Sequence, residues 1–161
     1  MDDLKILPHD IQAEQSVIGS IFINPDKMIE VTEHLKPEDF YRPAHKILFK
    51  AMMSLADRGE AIDIVTVKSM LEANHELNLV GNVSYLVEII NAVPTSANAE
   101  YYAKIVAKKA QLRAIIGNLS DSIGNAYDED MDIDEIIAKT EQSLLKVSQS
   151  SNKGSFRPIH D

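Results

Sequence analysis

The chain contains no cysteine, which excludes a disulfide frame, a thiolate zinc site and a cysteine nucleophile together. Glycine is sparse. Six residues are scattered along the sequence, and none forms the glycine run, closed by lysine and a hydroxyl residue, that cradles nucleotide phosphates. His9, His34, His45, His75 and His160 neither pair at i and i+4 nor adjoin a paired-carboxylate motif, so no metal set is expected. No apolar stretch is long enough to span a bilayer, and Met1 to Pro8 carries two acids without an apolar run of signal length. The chain reads as soluble and cytoplasmic. Basic residues are also in deficit, 16 against 25 acidic ones for a formal charge of −9, a field that repels nucleic-acid phosphates on average.

What is present is ordinary globular chemistry, with 45% hydrophobic and 25% charged residues in 161. That is enough for one compact domain with an appendage. Helix signals dominate. Asp10 caps a helix whose inner side carries Val17, Ile18, Ile21 and Phe22, and Asn24-Pro25 ends it and starts another that runs to about Leu35. Pro37 opens a single turn through Glu38 and Asp39, two acids explained by the helix dipole rather than by acid and base catalysis. Pro43 opens a helix burying Ile47, Leu48, Ala51, Met52 and Leu55, and Gly59 stops it. His45, in its first turn, is expected to make a structural hydrogen bond. Asp63 caps the segment holding Val67, Met70 and Leu71. The β-branched run from Ile62 to Val67 mimics a strand, but the helical spacing and the lack of a second strand favour helix. Gly81-Asn82 precede a helix from Val83 to Ala92, closed by Pro94. The expectation is an all-α fold.

From Asn98 to Val147 the chain writes two amphipathic helices at coiled-coil spacing. Leu112, Ile116, Leu119, Ile123 and Ala126 step by four and three, and Ile133, Ile137, Thr140, Leu144 and Val147 repeat the rhythm. The acidic segment from Asp128 to Met131 turns between them, and Asp132 with Glu135 makes an acidic capping pair. The reading is an antiparallel hairpin with those two rows as its seam. Gly117 and Gly124 are expected to serve close helix packing. Ile115, Ile136 and Leu145 fall beside the seam and call for a cover, either the rest of this chain or, most economically, a second copy of the hairpin or a partner protein. The expected oligomer interface is Ile115, Ile116, Leu119, Ile123, Ile136 and Leu145.

The organisation expected is a compact helical head over residues 1–95, the hairpin over 96–149 and, over 150–161, the start of a flexible connector rich in Ser, Asn and Gly. Lys104, Lys108, Lys109 and Arg113 make a basic stripe on the long helix. A solvated face explains it, and the alternative function is a helical nucleic-acid-binding module using these four residues. No nucleophile, metal set or phosphate loop supports an enzyme.

Several short patterns stand in one order: Ala13-Glu14-Gln15-Ser16-Val17-Ile18-Gly19, Asp39-Phe40-Tyr41 with His45, and Gly59 to Asp63 with Thr66. Ser84-Tyr85-Leu86, Tyr101-Tyr102-Ala103 with Ile105-Val106, and Leu112-Arg113 follow. The series resembles the N-terminal domain of bacterial replicative DNA helicases of the DnaB type. One departure is Gly81-Asn82-Val83-Ser84, where the family commonly has two glycines before Ser-Tyr-Leu. Asn tolerates left-handed backbone angles, so the turn is expected to survive. The resemblance implies a non-catalytic collar that pairs through its hairpins into dimers and builds a hexameric ring as a trimer of dimers. It also implies docking of the primase C-terminal domain, with Tyr85 and Tyr101 as candidate partner-facing aromatics, and contact with a helicase loader. ATP and magnesium, together with most contact to DNA, are implied only for a RecA-like domain beyond the connector, and no cofactor for this chain.

Overall fold

A computed structural model describes residues 6–153, with side chains through Gln149. Among the described residues eight α-helices follow one another: α1 (Ile11–Ile23), α2 (Lys27–Thr32), α3 (Pro43–Asp57), α4 (Ile64–Ala73), α5 (Leu77–Val80), α6 (Asn82–Ala92), α7 (Ala99–Tyr127) and α8 (Ile133–Lys153). A 3-10 turn at Pro37–Asp39 precedes α3. No strand occurs among the described residues, and the fold is all-α as expected.

Local chemistry sets the boundaries. Asp10 accepts from the Ala13 amide at 2.9 Å to open α1, and Pro43 occupies the first turn of α3. Asp63 and Thr66 exchange side-chain and backbone hydrogen bonds of 2.9 Å each, a reciprocal cap for α4. Gly81 and Asn82 both take positive φ, 98° and 63°, so the turn tolerates Asn at its second position. Two boundaries differ from expectation. Asn24 and Pro25 form a turn rather than a helix start, because Asn24 Oδ1 accepts from the Asp26 amide at 3.2 Å. At the far end the Thr32 hydroxyl bonds back to the Met28 carbonyl at 2.8 Å, and α2 stops there, short of Leu35. The short α5, at four residues, is barely one turn and too brief to show a helical period in the sequence.

The chain divides into two compact units, a head of His9–Lys108 and a second unit whose described part is residues 6–8 and 109–153. The head's core is built from Val17, Ile18, Ile21, Phe40, Phe49, Leu55, Leu86 and Ile89, each almost fully buried. Each such burial contributes about 1.5–3 kcal/mol. Ala99, Ala103 and Val106 of α7 are buried in the same core, so the head extends past residue 95, to Lys108. At the other end, α8 continues through Lys153, where a connector was expected to have begun. Adding residues to an existing helix needs no new nucleation, which offsets weak helix formers. The rest of that connector, 154–161, and His160 lie outside the described residues.

Helices α1 and α6 approach closely at Gly19. A Cβ there would stand 2.5 Å from Val93 Cγ2 and 3.0 Å from the Ile89 carbonyl oxygen. The backbone oxygen cannot move aside as a side chain can. Gly19→Val should cost about 3 kcal/mol, seen as a lower urea midpoint with unchanged slope.

Candidate functional site

Three polar side chains that the sequence sets far apart meet inside the head. Glu14 on α1 and His45 on α3 are 1% and 0% exposed, and Tyr85 on α6 closes the group. The Tyr85 hydroxyl lies 3.0 Å from Gln15 Nε2, 2.9 Å from an Arg42 guanidinium nitrogen and 2.7 Å from His45 Nε2. Gln15 and Arg42 only donate here, so they fill both lone pairs of the hydroxyl. Its proton therefore goes to His45 Nε2, and the imidazole proton sits on Nδ1, 2.7 Å from Glu14 Oε1. Glu14 also accepts from the Tyr41 amide at 2.6 Å and the Arg42 amide at 3.3 Å. No buried side-chain polar atom is left without a partner among the described residues. Each buried polar atom has its partner and the His45 ring is fully enclosed, so the cluster serves to tie three helices. His45 is a structural histidine, as the residues around it indicated.

Tyr85 thus points its hydroxyl inward, while its ring lines a shallow surface hollow with Arg42, Leu79, Ser84 and Glu88. Tyr101 is 65% exposed and packs edge-on against Tyr102 at 5.6 Å between centroids. Asp39 Oδ2 accepts from the Lys36 amide at 2.9 Å, so this acid caps the turn. His9 stacks on Tyr41 with ring centroids 4.1 Å apart.

One histidine departs from the sequence reading. His34 adjoins carboxylates after all, with ligand atoms of Glu33, His34 and Glu100 within 4.8 Å of one another. An imidazole with two carboxylates is a donor set that zinc accepts. Here His34 Nε2 is instead engaged by Glu100 Oε2 at 3.0 Å, with Lys104 and Lys27 close enough to act on the same carboxyl. Their positive charge disfavours a cation. The His34 hydrogen bond first, and then Lys104, hold the Glu100 carboxyl below its ordinary range. A carboxylate depressed in the folded state contributes stability above its unfolded pKa, and that contribution is lost as pH falls through the folded value. His34→Ala should raise the Glu100 titration midpoint toward the ordinary carboxylate range, as followed by carboxyl NMR.

In the second unit the hairpin forms with a seam that keeps only part of the expected row. Thr140 Oγ1 lies 3.0 Å from Ser122 Oγ across the helices and 2.8 Å from its own Ile136 carbonyl, while Ser122 Oγ is 3.2 Å from the Asn118 carbonyl. Asn118, Ser122 and Asn125 of α7 are half-buried, as are Ile136, Thr140, Ser143 and Val147 of α8. These residues face one another. Most of the row expected to form the seam is turned away: Ile116, Leu119 and Ile123 on α7, and Ile133, Ile137 and Leu144 on α8, are exposed, Ile123 at 58% and Ile137 at 49%, whereas Thr140 and Val147 of that row do face inward. Leu145 and, at the margin, Ile115 are exposed as well. A helix advances about 100° per residue. On each helix the exposed row lies between a fifth and a third of a turn from the facing side, in the same rotational sense. Because the two helices run in opposite directions, both rows come to one face of the hairpin. That face is continuous and apolar.

Gly117 and Gly124 meet nothing within 4 Å, so they do not serve packing between α7 and α8 as expected. Lys104 and Lys108 are exposed and Lys109 is half-buried. Arg113 donates to the Pro8 carbonyl at 2.8 Å.

The family model of the DnaB-like helicase N-terminal domain matches residues 6–108. The chain belongs to this family. It is 43% identical over 157 residues to the replicative DNA helicase DnaB of Geobacillus stearothermophilus, covering 98% of this chain and 35% of that protein. Among solved structures it is similar to the N-terminal domain of DnaB helicase from Mycobacterium tuberculosis, with TM-score 0.84 and 38% identity over 88% of this chain and 99% of that one. A DnaB-like replicative helicase described together with its interactions with primase shares the fold at TM-score 0.71 and 23% identity, over 86% of this chain and 31% of that one. The stretch matched is the N-terminal, non-catalytic part of a DnaB-type helicase. Among the described residues no helix is long and apolar enough to cross a membrane.

Proposed function

We propose that this domain is the collar of a cytoplasmic replicative helicase, joining copies through the hairpin and docking primase. The observation that carries the reading is the exposed apolar face of α7 and α8. A surface row of isoleucines and leucines this long is kept where a partner covers it, and a second hairpin offers the matching row in an isologous, two-fold contact. Dimers of this kind close into a ring when a second interface joins three of them. The family relative described with primase supports a docking role, and the exposed Tyr101 is the aromatic best placed for it in the head. Primase held on the collar would lay primers while the ring advances, and a loader would meet the same domain during assembly. ATP, magnesium and strand translocation belong, on this reading, to the motor domain of the full-length helicase.

The test is the solution mass of the chain by light scattering, alone and mixed with the C-terminal domain of its cognate primase. Dimers or hexamers that gain mass with primase are expected. A monomer at every concentration, indifferent to primase, overturns the proposal.

A further inference from the structure

The basic stripe of α7 has no place in the function so far, and the structure sorts its members. From 101 to 120 the sequence holds four basic residues and no acidic one, in a chain whose formal charge is −9. Arg113 is engaged by the Pro8 carbonyl at 2.8 Å, and Lys109 is half-buried. Within the head, Ala103 and Val106 of the same helix are buried in the core. The exposed positions from Tyr101 to Lys108 are Tyr101, Lys104 and Lys108. Steps of three and four place these on one face of α7, opposite its buried side, with the two lysines rooted one turn or about 6 Å apart along the axis.

One aromatic ring followed by two cations, with no acid between them, supplies both parts of a grip on a single strand. An unpaired base stacks on the ring, and the charges meet the phosphates on either side of it. Tyr101 is largely exposed, and Tyr102 braces it edge-on with ring centroids 5.6 Å apart, so little freedom is lost when a base lands on it. Duplex bases are already stacked and have no face to offer. A protein-docking patch would surround the aromatic with apolar side chains, because lysine is depleted at interface cores; here the exposed neighbours three and seven positions on are both lysine. Glu100, the residue before the strip, is engaged by His34 at 3.0 Å, and Lys104 acts on the same carboxyl. That acid and the negative charge of the whole chain keep the affinity low, which suits a strand already held by other means.

We infer that Tyr101, Lys104 and Lys108 form a subsite for single-stranded nucleic acid on the head, with one base stacked on Tyr101 and two phosphates on the lysines. The inference goes beyond the proposed collar function and does not depend on the hairpin. It also sets two uses of one ring against each other, because a strand stacked on Tyr101 displaces any primase contact made there.

Fluorescence anisotropy of short labelled oligodeoxythymidine and oligouridine with the full chain at low salt tests it. With two phosphates held, log affinity should fall against log salt with a slope of about −1.4. Tyr101→Ala should weaken binding about tenfold with the slope unchanged, because stacking releases no counterions. K104Q/K108Q should weaken binding and remove most of the slope. The chain has no tryptophan, so Tyr101→Trp puts a single indole at the site, and its emission should be quenched as a base stacks while affinity is kept. Each variant changes exposed side chains only, and its helical circular dichroism spectrum should match wild type. Binding of either oligonucleotide with these variant effects supports the subsite, and the tighter one names the strand. A wild-type chain that binds neither, a duplex of equal length bound as tightly, a Tyr101→Ala protein of wild-type affinity or an indole unquenched by saturating strand each overturn it. A Tyr101→Ala protein that loses primase yet keeps the strand also overturns it, and gives the ring to the protein partner. All of these outcomes leave hairpin association untouched.

Discussion

Glu14→Gln should strongly destabilise the head although it changes one oxygen to nitrogen and no shape. The carboxylate accepts from the Tyr41 and Arg42 amides and from His45 Nδ1–H. An amide can keep its oxygen toward only one side, and its NH2 then faces a donor. His45 cannot adapt by moving its proton to Nε2, because the Tyr85 hydroxyl opposite already accepts from Gln15 and Arg42. Each fully buried donor left unpaired costs about 1–3 kcal/mol, so we expect a loss of about 3–4 kcal/mol and a Tm lower by about 10 °C. Differential scanning calorimetry measures it directly. A Gln variant within a degree or two of wild type would show that the proton chain can reverse. Tyr85→Phe serves as the comparison: it removes the acceptor of two donors and the donor to His45, but Arg42 lines the surface hollow and only the buried His45 Nε2 is left unmatched, so its loss should be smaller.

Replacing Ile123 and Ile137 together with Asp should abolish association without melting the hairpin. Both residues are exposed on the outer face, so the isolated chain loses little. In a two-fold contact each is counted twice, and each isoleucine buried contributes about 1.5–3 kcal/mol, which puts the weakening above about a thousandfold. Light scattering should give the monomer mass beside an unchanged helical spectrum. Ile136→Asp, one residue away, should behave in the opposite manner. Ile136 is half-buried on the side facing α7, and a charge there should reduce the helical signal as well as the mass. If the two variants act alike, the assignment of inner and outer faces is wrong.

That contrast marks where the sequence was legible and where it was not. Capping residues act locally, so Asp10, Asp63, Pro43 and Gly59 announced their helix boundaries from a few neighbours. The four-three rhythm of Ile116, Leu119 and Ile123 announced an apolar row with equal clarity, but burial is non-directional. A row looks the same whether its cover is the next helix or another molecule. The inner seam rests on Thr140, which the rhythm included, and on Ser122, Asn118 and Asn125, small polar residues that a hydrophobic pattern passes over. Gly117 and Gly124 were misread for the same reason, since packing was assumed on a side that is open. The buried cluster joins residues 31 and 40 positions apart, and only the unusual setting of His45 beside Phe40 and Tyr41 hinted that it was held inside. Glu100 lies 66 residues from His34, and no spacing rule connects them.

The one-way run of protons from Tyr85 to His45 to Glu14 also bears on heredity. Each residue is acceptable only because the next has its present identity, so a change at any one of the three leaves a buried group unmatched. An apolar replacement of the whole set would fold, yet a lineage reaches it only by passing through singly changed proteins that are less stable than either end. The three positions can therefore stay fixed without touching primase, DNA or another subunit, while the exposed stripe of the hairpin is free to drift in step with whatever covers it.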